Sequence, residues 1–309
     1  MADQATKIII TADDYGASPA VNRGVMKALD QGVINTVSAM MNMPNAQEDV
    51  RILLEKHAQA HVGLHLSVTA GEPINNGTPS LFAPETHQFM DISNFVFSQV
   101  VLDELEEELV AQAKKLLEVV DTIDHVSCHH GVLTLYPQFF EVYQKVAREV
   151  AKAPIRNPIL ISKLGRKGFR ISGMKRTGLF TGLQLAKNNL EEVPTLLQQT
   201  KPEVIKEQLH TNVVKPDFFV DTFYKQANSR RLRTIMEYLP KGAVSEMVVH
   251  LSDQPVADLT PNGVDDGYFR GRYKEFKTLT EKRFLEKLMK ENEVTWGSFQ
   301  DLKQPVSVS

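Results

Sequence analysis

Apolar positions along this chain follow two alternating rhythms. Short runs such as Ile8-Ile9-Ile10 are continuously hydrophobic, as strands covered on both faces are. Between such runs apolar residues recur every three or four positions, the stripe of a half-buried helix. The isoleucine run predicts an opening strand. Ser18-Pro19 then supplies the N-cap and first-turn proline of a helix with Val21, Val25 and Leu29 on one face and Gly32 as its stop. A second strand is predicted at 36–41, a helix from Pro44-Asn45 with Val50, Leu53 and Leu54 inside, and a third strand at 61–68. Residues 70–90 have the glycine, proline and asparagine content of turns. Leu102, Leu105, Leu109, Ala113, Leu116 and Val120 mark one long amphipathic helix. A strand at 125–130, a helix opened by Pro137 and a short strand at Ile155-Arg156 follow. Further strands are predicted at 218–222, 245–252 and 294–299, with helices near 228–239 and 280–292.

Strand alternating with helix predicts a parallel sheet. Seven or eight such units favour an α/β fold: a single-domain distorted (β/α) barrel of seven or eight mostly parallel strands spanning residues 1–309. An open doubly wound sheet is the alternative, but no GxGxxG or phosphate-binding loop supports a nucleotide fold. From 160 to about 216 the periodicity weakens while glycines and basic residues collect, which predicts a lid-like excursion. Its basic run, Lys163, Arg166, Lys167, Arg170, Lys175 and Arg176, reads as a solvated loop or as a cover that meets an anionic group on a substrate.

Composition narrows the function classes. With 309 residues, 42% of them hydrophobic, the chain can bury a sizeable core, and a net charge of -3 gives no general attraction to nucleic acid or anionic membranes. The opening MADQATK lacks the apolar stretch of a signal peptide, no run reaches the length of a membrane span, and Cys128 alone cannot form an intrachain disulfide. The expectation is a cytoplasmic protein, and a homodimer is compatible with the chain.

Candidate chemistry sits at the ends of the predicted strands, where β/α barrels build their sites. Asp13 and Asp14 follow the isoleucines, and two carboxylates at the mouth of a buried strand need a reason. A helix-capping role is already filled by Ser18. Both cannot face inward as strand residues, so the ladder is expected to end there and the chain to turn. In His61-Val62-Gly63-Leu64-His65-Leu66, alternation puts Val62, Leu64 and Leu66 toward the helices and His65 inward, beside a glycine that makes room. Glu246 and His250 face inward in the same way, opposite Met247, Val249 and Leu251. Of His129 and His130 only one shares the interior, and pairing with Ser127 favours His129. His130 and Cys128 are expected to pack against the helix layer, and His57, His61, His87, His125 and His210 to be hydrogen-bonded structural residues. One carboxylate and two imidazoles, Asp14, His65 and His129, make a divalent-metal shell with open positions. Tyr268, Phe269, Tyr273, Trp296 and Phe299 read mainly as core, with stacking on sugar faces as the other use.

Four ordered segments, Thr11-Ala12-Asp13-Asp14-Tyr15-Gly16, Val62-Gly63-Leu64-His65-Leu66, Cys128-His129-His130-Gly131 and Glu246-Met247-Val248-Val249-His250, resemble the YdjC-like (ChbG/HpnK) carbohydrate deacetylase family. The resemblance implies a distorted β/α barrel, one divalent metal and hydrolysis of the N-acetyl group of an amino sugar or chito-oligosaccharide; the one-Asp, two-His set itself suits zinc, manganese or cobalt and, less ideally, magnesium, and magnesium or zinc is the expectation. The resemblance also implies Asp13 as general base, Asp14, His65 and His129 as metal ligands, His250 as general acid, and Arg156 as the arginine that orients the catalytic carboxylate; apart from the resemblance, the inward-facing Glu246 is expected to tune the site. Ser127, where the family often has an aspartate, and Leu251 after His250, where a proline is usual, depart from the pattern. The same three ligands would also serve a hydrolase of another bond, such as a phosphoester, or a sugar-binding or regulatory protein without turnover.

Overall fold

The computed structural model describes residues 5–92, 94–157, 161–163, 170–171, 194, 213–224, 226–256 and 266–302. Its elements in chain order are β1 Thr6–Tyr15, α1 Pro19–Asp30, β2 Thr36–Ala39, α2 Ala46–Lys56, β3 His61–Leu66, β4 Phe82–Ala83, β5 Gln88–Phe89, α3 Leu102–Leu117, β6 Val126–Cys128, α4 Pro137–Val146, β7 Ile161–Lys163, β8 Arg170–Ile171, β9 Phe218–Val220, α5 Ser229–Tyr238, β10 Val244–His250, α6 Asp266–Leu279, α7 Lys282–Glu291 and β11 Val294–Trp296. Among the described residues no helix is long and apolar enough to cross a membrane.

The consecutive isoleucines are tolerated because β1 is covered on both faces and paired on both edges. Among the described residues the main sheet has seven strands in the order β6-β3-β2-β1-β10-β9, with β11 paired to the start of β1, and every pairing in it is parallel. Since β10 runs beside Lys7 to Asp13, β11 (against Thr6 to Ile8) and β2 (from Thr11 onward) must share the opposite edge. Ile8, Ile10 and Ala12 enter the main core with Val21, Val25 and Ala28 of α1, whereas Ile9 turns inward against Val244 and Phe299. Thr11 and Asp13 lie on the Ile9 face, so the interior becomes polar toward the C-terminal end.

The sheet curls far enough for one short segment to bridge its two edges. Val126 N–H donates to the Pro154 carbonyl (2.8 Å) and Arg156 N–H to the Val126 carbonyl (2.9 Å), while Ile155 N–H reaches the Val214 carbonyl (2.8 Å) just before β9. The predicted strand at Ile155-Arg156 is therefore a single bridge to β6 that carries Arg156 into the interior.

Side chains of α3 organise the turn-rich stretch after β3. Glu104, Glu108 and Gln112, four residues apart, accept from the backbone N–H groups of Ser80, of Ile74 and Asn75, and of Ser67. These bonds satisfy a loop that has no long strand partner.

Several expectations needed correction. The predicted strand at 125–130 ends at Cys128, and 129–134 forms a tight turn with His130 and Gly131 at φ of 56° and 67°. His130 is exposed rather than packed against the helix layer, and its Nδ1 lies 3.0 Å from the Thr69 hydroxyl. Cys128 is buried, and burial pushes its thiol up to about 12. Gly63 makes room for His125 rather than His65: a Cβ at position 63 would stand 2.2 Å from the His125 ring. Gly63→Ala is accordingly expected to lower unfolding free energy by roughly 1–3 kcal/mol, the scale of overpacking, as read by urea denaturation. An unchanged midpoint would show that the ring can move aside freely. α6 had no counterpart in the sequence reading. Most of the 160–216 excursion, with Arg166, Lys167, Lys175, Arg176 and His210, lies outside the described residues.

Candidate metal centre and active site

Asp13 is the last residue of the β1–β10 ladder, with His250 as its register partner. One residue on, the register against β2 shifts between Ala12 and Tyr15, and Asp14 takes a left-handed φ of 65°. Strand alternation alone would send the two aspartates to opposite faces. The turn brings both toward His65: its Nε2 lies 3.1 Å from Asp14 Oδ1 and 3.8 Å from Asp13 Oδ2. A left-handed residue other than glycine costs of order 1 kcal/mol, least for Asp and Asn.

His65 stands at the end of β3 and His129 directly after β6, with ring centroids 5.5 Å apart and nearly perpendicular. His129 Nδ1 is 3.0 Å from the same Asp14 Oδ1. One ligand atom from each of Asp14, His65 and His129 lies within 4.8 Å of the other two, and this Asp-His-His group could hold a metal ion. The donor set suits a borderline divalent cation. Its orientation suits one too, because Ser127 Oγ engages His65 at Nδ1 (2.8 Å) and leaves Nε2 facing the carboxylate.

Two guanidinium groups flank the carboxylates, Arg156 half-buried and Arg272 buried. Arg156 grips Asp13 with two bonds, Nη1 to Oδ2 at 2.6 Å and Nη2 to Oδ1 at 2.8 Å, and reaches Glu246 Oε1 from Nε (3.0 Å) and Nη2 (2.8 Å). Burial alone would raise the Asp13 carboxyl, but Arg156, helped by His65 and His250, outweighs it and sets it at about 2. Arg272 on α6 donates from Nη2 to Asp14 Oδ2 at 2.5 Å and lies over the Tyr268 ring. Against the same burial penalty, Arg272 and His129 hold Asp14 well below the usual carboxylate range. Arg272 thus occupies Oδ2 and leaves Oδ1 to the imidazoles. Burial first, then the charge of Arg272, lowers His250 to about 4, so its imidazole is neutral near pH 7.

A family model described as YdjC-like protein matches residues 7–290. The chain belongs to the YdjC-like family. Relatives named carbohydrate deacetylase include one from Brevibacillus brevis, 33% identical over 154 residues (50% of this chain and 60% of that protein). Another, from Vibrio parahaemolyticus, is 28% identical over 200 residues, 62% of this chain and 76% of that one. The chain spans 60%, 65% and 58% of the length of three such relatives. A crystal structure from Enterococcus faecalis V583, named for a proposed cellobiose-phosphate cleavage, is similar in fold with a TM-score of 0.69 at 22% identity. It covers 96% of this chain and 98% of that one.

In this YdjC-like chain sequence reasoning missed Arg272 and Glu275 on α6, and it read Tyr268 mainly as core. Arg272, Tyr268 and Glu275, which accepts from the His250 backbone N–H (2.8 Å), complete the walls of the site. Phe269, Phe276 and Leu279 are buried and Tyr273 packs against the core, a helical stripe that was there to be found. Tyr268 stacks on an arginine instead of joining the core. Trp296 is exposed, and Phe299 plugs the interior beneath the site. Tyr224 lies against His250, ring centroids 4.5 Å apart.

Proposed function

We propose that this protein is a metal-dependent deacetylase of N-acetylated amino sugars or chito-oligosaccharides, and that the convergence of Asp14, His65 and His129 beside the arginine-held Asp13 carries this reading. Asp14, His65 and His129 would hold one divalent ion, zinc or magnesium, with manganese or cobalt as alternatives. What the ion supplies when bound is Lewis acidity, which polarises an amide carbonyl and brings a water nucleophile within reach of neutral pH.

The remaining steps belong to the chain's own side chains. Asp13, ionised throughout the working range, accepts the proton of the attacking water, and Arg156 with Glu246 behind it keeps that carboxylate from turning away. His250 is neutral near pH 7, so it must take up a proton before it passes one to the departing amine nitrogen. The carbonyl carbon gains the water oxygen, the C–N bond breaks, acetate leaves, and the proton from water ends on the amine. The relatives named carbohydrate deacetylase support the same chemistry.

The decisive measurement is acetate release from a panel of N-acetylated mono- and oligosaccharides after reconstitution with each divalent ion. Acetate and a free primary amine are expected in equal amounts, and chelation is expected to abolish both. Phosphate release from a phosphosugar without acetate would replace this reading with phosphoester hydrolysis. Sugar binding with neither product would make the protein a binding relative.

A further inference from the structure

Beneath His65 the barrel interior holds polar side chains that the proposed reaction does not use. Ser127 Oγ lies 2.8 Å from His65 Nδ1 and 2.8 Å from Ser38 Oγ on β2. Ser38 Oγ lies 2.7 Å from His125 Nε2, and His125 Nδ1 lies 3.1 Å from Asp124 Oδ2. Ser38, His125 and Ser127 are fully buried. The His125 ring crosses β3 over Gly63 to reach β2 and stacks on Phe299, centroids 4.2 Å apart and 6° from parallel. The second Asp124 oxygen is 3.2 Å from Nδ1 of the partly exposed His61.

The Asp124 end of this row sets the direction of its hydrogen bonds. Burial would raise Asp124, but the bonds from His125 and His61 outweigh it and hold the carboxyl at about 2, so it only accepts. An uncharged His125 then donates from Nδ1 and accepts at Nε2. Ser38 spends its one proton on that acceptor and can only accept from Ser127. Ser127, having donated to Ser38, accepts from His65 Nδ1. The other acceptor open to Ser127, the Leu64 carbonyl, is more distant at 3.4 Å. At the opposite ring nitrogen Asp14 competes for the His65 proton, but Arg272 occupies its Oδ2 and His129 shares its Oδ1.

We propose that Asp124, acting through His125, Ser38 and Ser127, is a positioning residue that keeps the His65 proton on Nδ1 and presents the Nε2 lone pair to the space between Asp14 and His129. The consequence for metal affinity rests on the metal-centre reading above, whereas the tautomer does not. Nitrogen NMR of the metal-free protein at pH 8 reads the tautomer, and wild-type His65 is expected to carry its proton on Nδ1. Asp124→Asn introduces an amide that can donate to His125 and reverse the row. Ser38→Ala cuts the row by removing one oxygen, and it serves where Asp124→Asn does not fold. Each is expected to move His65 toward the Nε2–H form.

In zinc titrations against a competing chelator, each variant is expected to bind about 10-fold more weakly. The double variant should bind no more weakly than the weaker single one, since a row cut once is already cut. A merely structural role would make the losses additive and leave the tautomer alone. Wild-type His65 protonated on Nε2, an unchanged tautomer in both variants, or additive zinc losses would overturn the proposal. If the wild type binds no zinc while the tautomer responds as stated, the metal-centre reading fails and this one stands.

Discussion

Asp13→Asn is expected to retain a divalent ion at near wild-type occupancy while kcat falls by about 10²-fold or more, the usual scale for losing a positioned base. Asp14→Ala is expected to lose metal and activity together. The two carboxylates are adjacent in sequence but differ in surroundings. Asp14 Oδ1 faces both imidazoles at 3.1 Å and 3.0 Å, whereas Asp13 stands 3.8 Å from the nearer ring with both oxygens engaged by Arg156. Asparagine preserves the size of Asp13 and one acceptor for Arg156 but cannot take up the water's proton. Because Asp13 titrates at about 2, its loss should lower the whole pH profile of kcat/KM without shifting an acidic limb above pH 3. Metal content by elemental analysis and kcat by acetate release, measured on one preparation, separate the two roles. Asp13→Asn retaining most of its kcat with metal bound would exclude Asp13 as the base and move attention to Glu246.

How much of this was legible in the sequence follows from which interactions are local. The Ile8-Ile9-Ile10 run and the regular exchange of strand and helix rhythms announce a buried parallel sheet, because burial on both faces leaves no other composition for its central strand. Period-2 alternation likewise oriented Glu246 and His250 inward, opposite Met247 and Val249. It could not orient Asp14, whose direction depends on a left-handed backbone that breaks the alternation. Arg272 left no local trace, since its partner Asp14 is 258 positions away and a single arginine on a helix usually faces water. α6 itself was obscured by Gly267 and Gly271, which lower helix propensity within its first turns. His125 is the hydrogen-bonded structural residue expected of it, but its bond to Ser38 escaped notice for a different reason. Each is an ordinary polar residue until Gly63 lets the His125 ring cross a strand, and that crossing is a tertiary fact.

Arg156→Met is expected to destabilise the metal-free protein by roughly 3–5 kcal/mol near pH 7, the range for removing one partner of a buried ion cluster. Methionine roughly keeps the side-chain volume that lies against the Phe219 ring, 4.9 Å from the guanidinium carbon, but leaves Asp13 and Glu246 buried without a cation. The pH dependence distinguishes charge from packing. In the wild type the Asp13 carboxyl falls from 3.8 to about 2 on folding, a stabilisation of about 2 kcal/mol that is fully present above pH 4 and lost as pH falls toward 2. In the variant burial acts unopposed by Arg156 and raises the folded-state value, so protonation relieves the penalty as pH falls toward 4. The difference between the two proteins should therefore be largest at neutral pH and shrink steadily with acid. Urea midpoints at pH 7, 5 and 4 on chelator-treated protein test this. A difference that stayed constant across that range would assign the loss to packing against Phe219, and Arg156 would then not be what holds the Asp13 carboxylate ionised.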